Sequence, residues 1–193
     1  LDAGEDGGQG EGDFDAAEDY LSEYQLTKGP EGILLAAQID WARDRRQAAV
    51  EKLEAYVANH PRANLDQIYS ALSRYYRAMD VYDRALRYAV LRTMENPVEA
   101  GPRLQVLYVY SQTGEEERMR REIESIVDEF RNDESAIRGL AEFAANEGNT
   151  ALARRTYEMA LENNFDVGVF SLLFIETHVT AGDYAEAIAF CNE

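Results

Sequence analysis

The feature that most constrains this chain is a recurrence of 34 residues. Asp80, Gly114, Gly148 and Gly182 stand 34 apart, each between two segments of helical periodicity. The same interval links Leu72, Val106, Leu140 and Phe174, and then Tyr76, Tyr110, Ala144 and His178, ahead of those positions. Behind them it links Ala85, Met119, Ala153 and Ala187, and then Ala89, Ile123, Tyr157 and Cys191. An earlier copy lies 36 residues upstream, with Ala36, Asp40, Asp44, Ala49 and Leu53 in the equivalent places. A period of this length accommodates two helices and a turn, and one such hairpin cannot cover its own apolar faces. Neighbouring hairpins must stack to complete a core, so the expected fold class is all-α, built of antiparallel helix pairs. Only four prolines among 193 residues agree with that reading.

Two stretches show the pattern most fully: LSRYYRAMDVYDRALRYAV (Leu72 to Val90) and LAEFAANEGNTALARRTYEMAL (Leu140 to Leu161). Each has a small or turn-forming residue between its helices and an alanine early in the second helix. Tyr157 adds an aromatic one turn further on, and Asn96-Pro97 closes a unit. In these residues the chain resembles the tetratricopeptide repeat (TPR) family over about five units, near 30–61, 66–97, 100–131, 134–165 and 168–193. It departs from the family where Leu107 and Ile175 replace a small residue and Met119 replaces the packing alanine. Units three and four also end in Arg131 and Phe165 rather than proline.

The resemblance implies a right-handed superhelical solenoid whose concave groove is lined by the exposed face of each first helix. A groove of that kind suits a helix or an extended peptide. Transferring the register puts Leu34, Gln38 and Trp41 there from unit one, and Gln67, Ser70, Arg74 and Arg77 from unit two. Leu104, Tyr108 and Ser111 follow from unit three, Arg138 and Glu142 from unit four, and Leu172 and Glu176 from unit five. Trp41 has an equally good reading as a seal between the first unit and the N-terminal segment. The carboxylate clamp of Lys, Asn and Arg that some family members use is absent, because its positions hold Leu34 and Gln38, Ala71, and Gly101 and Gln105. The implied function is a non-catalytic scaffold or adaptor for a partner protein or peptide. The alternative is a self-assembling module that forms homo-oligomers through the ends of the array.

Charge divides the chain. Residues 1–31 hold ten acids against one base, Lys28, which is half of the net −18 of the whole molecule. Residues 1–27 are expected to form an acidic flexible segment, with Gly4, Gly7, Gly8, Gly10 and Gly12 among carboxylates and little to bury. Phe14, Ala17, Leu21 and Tyr24 recur at helical spacing, so one short helix is expected over 13–24. Residues 28–193 form the repeat array, with its last unit cut short at Glu193. Starting on Leu1 rather than Met, the chain reads as an excerpt or a processed product, which leaves its compartment open between cytoplasm and bacterial envelope. The acidity disfavours nucleic acid and anionic lipid as partners. The longest apolar runs, Ile33 to Ala37 and Leu172 to Ile175, are too short to cross a bilayer.

Little here supports chemistry. The single cysteine excludes an internal disulfide framework and a cysteine-rich zinc site, and two histidines limit acid-base and metal chemistry. His178 shares a column with Tyr76 and Tyr110 and is expected to pack. His60 has no partner at ligand spacing, and Cys191 reads as a small apolar filler. Asp13, Asp15 and Asp19 fail as a calcium loop, since Glu18 and Tyr24 occupy its two diagnostic positions. Glu115, Glu116 and Glu117 read as a helix start, where the dipole favours carboxylates. No enzymatic motif is present, and no catalytic residue, metal or cofactor is expected. Arg43, Arg45 and Arg46, and Arg118, Arg120 and Arg121, read as solvated faces, with an acidic-peptide patch as the sharper alternative.

Overall fold

The computed structural model describes residues 13–17, 19–20 and 29–192. The glycine-rich stretch 1–12 and the expected boundary at residue 27 lie outside them. Among the described residues there is no strand, and ten long helices form five pairs. The chain divides into two compact units, one ending at Glu95 and the other starting at Asn96.

The first unit holds α1 (Pro30–Ala42), α2 (Arg46–Asn59), α3 (Asp66–Ala78) and α4 (Tyr82–Glu95). Pro30 opens α1, where its missing N–H costs nothing. Helical residues at 13–17 and 19–20 precede it, and Phe14 and Ala17 pack on Ala36 and Ile39 of α1. Residues 21–24 of the expected short helix lie outside the described residues. α1 packs on α2, α3 on α4, and α3 also meets α1 and α2.

The second unit holds α5 (Ala100–Thr113), α6 (Glu116–Phe130), α7 (Glu134–Glu147), α8 (Thr150–Asn163), α9 (Val167–Thr180) and α10 (Tyr184–Cys191). Here the first helices follow one another, α5 against α7 and α7 against α9. Gly139 permits α5 to approach α7, because a Cβ there would collide with the Leu104 side chain. Asp133, Asn149, Asp166 and Asp183 cap α7 to α10 by accepting backbone N–H bonds. Glu116 and Glu117 occupy the first turn of α6, as their position near a dipole's positive end favours.

All five pairs turn by the same device. Asp44, Asp80, Gly114, Gly148 and Gly182 have φ of 59°, 58°, 68°, 65° and 77°. The N–H of the next residue then bonds a carbonyl five positions back: Arg45 to Asp40, Val81 to Tyr76, Glu115 to Tyr110, Asn149 to Ala144 and Asp183 to His178, at 2.8–2.9 Å. This left-handed closure satisfies carbonyls that a helix end leaves orphaned. The 34-residue column of turn residues is the sequence trace of that geometry.

The apolar columns are buried as the period requires. Leu72, Leu140 and Phe174 are all inside, as are Val106, Ala85, Ala153 and Ala187. Burying each large member stabilises the fold by about 1.5–3 kcal/mol. Cys191 departs from the expected filler role, because it is exposed on α10.

Candidate functional site

In the first unit, the outward side of α1 and α3 forms a cleft of about 320 Å³ that reaches α4. Leu34, Gln38, Gln67, Ser70 and Arg74 line it, together with Asp66, Ala71 and Arg92. Gln38, Gln67 and Arg74 are exposed and Ser70 is half-buried. Leu34 corrects the expectation of an exposed anchor, because it is buried at 9% exposure and serves as floor. It points between α1 and α3, where apolar surface leaves water. Arg92 and Asp66 pair at 2.8 Å with both side chains largely buried, which ties α4 to the start of α3. Arg74 makes no ion pair or hydrogen bond with another described residue. Its guanidinium is the cationic group the cleft offers outward.

Trp41 and Arg77 do not line this cleft. Trp41 is half-buried and stacks on Tyr75 with ring centroids 4.1 Å apart and planes 6° apart, and Arg46 lies over the indole ring at 5.6 Å. The indole therefore joins α1 to α3. Arg77 is half-buried near the end of α3.

In the second unit, Leu104 is half-buried against Gly139. Tyr108 sits edge-on to Phe143 at 5.2 Å and accepts a hydrogen bond from Asn146 Nδ2 at 3.1 Å. Ser111 donates to Glu147 at 2.5 Å. Arg138 and Glu142 pair along α7 at 3.7 Å and stay about half exposed, while Leu172 is 69% exposed.

The six arginines noted in the sequence are held within the chain. Arg43 pairs with Asp15, Arg45 with Asp40, Arg46 with Asp44, Arg118 with Glu115, and Arg120 and Arg121 with Glu117. Those pairs hold the Glu117 carboxyl below its usual range, chiefly through hydrogen bonds from Arg120 and Arg121. Exposed pairs of this kind contribute little to stability.

Two features escaped the sequence reading. Asp66 and Arg92 lie 26 residues apart on different helices, and no local pattern relates them. A second depression, about 450 Å³, lies between α6 and α8 over Met119, Ile123 and Leu152, rimmed by Arg120, Glu124 and Arg155. Its signal was Met119 in an alanine column.

Among the described residues no three His, Cys, Asp or Glu side chains gather to hold a metal ion. His60 bonds the Tyr56 carbonyl through Nδ1 at 2.9 Å and stacks on that tyrosine. His178 is buried as its column implied, with Nδ1 3.2 Å from Asp183 and its ring on Phe174. No helix among the described residues is long and apolar enough to cross a membrane.

No protein-family model matches the sequence, and no curated protein matches it. Solved structures do. The fold is that of TPR-like helical solenoids, as the resemblance implied. A tetratricopeptide repeat protein from Parabacteroides merdae ATCC 43184 superposes with a TM-score of 0.64 at 17% identity, over 93% of this chain and 72% of that one. BtubC (BKLC) from P. vanneervenii superposes with a TM-score of 0.61 at 16% identity, over 93% of this chain and 84% of that one.

Proposed function

We propose that this chain is a non-catalytic protein-interaction scaffold that holds a partner protein or peptide against the outward faces of its first helices. The observation that carries this reading is the cleft of the first unit. It combines an apolar floor at Leu34 and Ala71 with the amides of Gln38 and Gln67, the Ser70 hydroxyl and the exposed guanidinium of Arg74, which has no ion pair among the described residues. Side-chain amides and hydroxyls of this kind suit peptide backbone, and an exposed arginine gives orientation to a carboxylate or carbonyl. Leu104, Tyr108, Arg138, Glu142 and Leu172 supply a second such surface in the other unit. With a net charge of −18, protein is a better partner than nucleic acid.

The test is peptide display on the whole chain, followed by affinity measurement of the selected peptides. Arg74→Glu is expected to weaken first-unit binders at least about tenfold with helicity unchanged, the loss typical of a dominant interface arginine. Binders that tolerate both Arg74→Glu and Gln67→Ala would place recognition elsewhere.

A further inference from the structure

The acidity of the molecule is unevenly divided, and the first unit escapes it. Residues 29–95 carry ten Lys and Arg against nine acids, whereas residues 96–193 carry eight against nineteen. The net −18 therefore lies entirely outside residues 29–95. At physiological ionic strength exposed charges more than about 8 Å apart are largely screened. What a ligand meets in the first-unit cleft is set by the side chains that line it.

Of the described residues that line it, Asp66 is the one carboxylate, and Arg92 already holds it at 2.8 Å. Arg74 is then left as an exposed cation with no counter-ion among the described residues, on the same side of α3 as Gln67 and Ser70. Its planar fork matches a carboxylate through two parallel N–H bonds. Gln67 lies two turns before Arg74, about 10.5 Å along the helix axis, a distance that about three residues of extended chain cover. Gln38 lines the cleft from α1. Each of these amides both donates and accepts, and an extended segment has free backbone N–H and C=O groups to meet them. A helix has already paired its own.

We propose, resting on the reading of this cleft as a binding surface, that it selects an extended segment of a partner protein carrying an Asp or Glu side chain. The Arg74 guanidinium donates to that carboxylate, and the Gln38 and Gln67 amides hold the backbone from the two helices. Small or apolar side chains of the segment lie on Leu34 and Ala71, which are 9% and 2% exposed. A chain terminus at Arg74 would supply the charge but end the backbone there, whereas a side-chain carboxylate lets the backbone run past Arg74 and keep both amides. A basic segment is repelled at this cleft although the whole molecule is acidic.

The experiment selects displayed peptides on the whole chain and resynthesises the binders acetylated and amidated. Those whose affinity falls with Gln67→Ala are kept, a filter that ties them to the cleft without involving Arg74. They are expected to share an Asp or Glu. Replacing that residue by Asn or Gln is expected to cost about tenfold against the parent chain and nothing against Arg74→Gln, the signature of a direct pair in a double-mutant cycle. Against Arg74→Glu the preference should invert, so that the Lys form of the peptide binds more tightly than the acidic form. Arg74 is exposed, and circular dichroism reports whether each variant keeps its helices. Cleft binders with no shared acid, or an acid whose neutralisation costs as much on Arg74→Gln as on the parent, would overturn the carboxylate assignment and leave the cleft a binding site. Peptides that bind only with a free terminal carboxylate would replace the side chain by a chain terminus and so overturn it too. An absence of binders sensitive to Gln67→Ala would sink both readings.

Discussion

The two units obey one period with different interiors. The first unit buries Tyr56, Tyr69, Tyr75, Tyr76 and Tyr88, whereas the second buries Phe143, Phe170 and Phe174 and leaves Tyr108, Tyr110 and Tyr157 half-exposed. Buried hydroxyls need partners, and the first unit supplies them from a charged centre. Tyr76 and Tyr88 both donate to Glu54 Oε1, at 2.7 and 2.9 Å, and Arg84 reaches Glu54 at 3.1 Å and Tyr76 Oη at 2.7 Å. Asp40, in the column that Tyr76, Tyr110 and Ala144 continue, is buried and ion-paired with Arg45 at 2.7 Å and with Lys52. A repeat therefore dictates where a side chain sits while leaving open whether the site is filled by hydrocarbon or by a satisfied polar cluster.

The difference can be broken from either side. The largest effect is expected in the second unit, where Phe143→Ala removes a fully buried ring that also supports Tyr108. It should cost about 3–5 kcal/mol, read by chemical denaturation, with hydrogen exchange rising first in α5, α7 and α8. Glu54→Ala should cost about 1–3 kcal/mol and raise exchange in the first unit, since two buried hydroxyls lose their acceptor. A uniform rise across both units would show that they unfold as one.

Turn chemistry gives a smaller contrast. Gly148→Ala places a Cβ at φ of 65° and within 3.3 Å of the Ala181 backbone nitrogen, so about 1–2 kcal/mol should be lost in thermal unfolding. Asp44→Gly, which removes a side chain at φ of 59°, should shift stability by less than about 1 kcal/mol, in the stabilising direction.

Alkaline titration sharpens the comparison without mutation. Burial raises the hydroxyl pKa of Tyr69, Tyr75, Tyr76 and Tyr88 above the ordinary 10.0, with Glu54 adding to the rise at Tyr76 and Tyr88. In the second unit burial raises Tyr110 in the same way. A raised folded-state pKa stabilises the fold fully below the unfolded value and is lost as pH climbs through the folded one. The first unit should therefore open before the second as pH passes above 10, read by unit-resolved exchange or tyrosinate absorbance. At the acid end the smallest effect falls on α7. Its cap Asp133 has a lowered pKa, mainly through the Ser135 hydroxyl and then the backbone amides, so that contribution disappears only below the usual carboxylate range.

How much of this was legible in the sequence depends on whether a feature repeats. The turn column located all five left-handed closures, and the columns through Leu72 and Ala85 marked buried positions, because those demands recur in every hairpin. The Glu54 cluster occurs once and joins residues up to 34 apart by side-chain geometry, so periodicity is blind to it. Leu34 was placed outward by register yet lies on the floor of the cleft, since α3 approaches closely enough to cover it. Cys191 matched a buried column but is exposed on α10. The division after Glu95 left only the Asn96-Pro97 mark that ends a repeat.

The closure that ends every first helix has a consequence for how such chains change length. Each hairpin completes its turn with hydrogen bonds made entirely inside itself, so gain or loss of a whole period leaves the joints on either side chemically intact. Insertion of a few residues into one of those turns has no such protection. Variation in proteins built this way is therefore expected in whole steps, and the number of binding faces is set by duplication rather than by redesign.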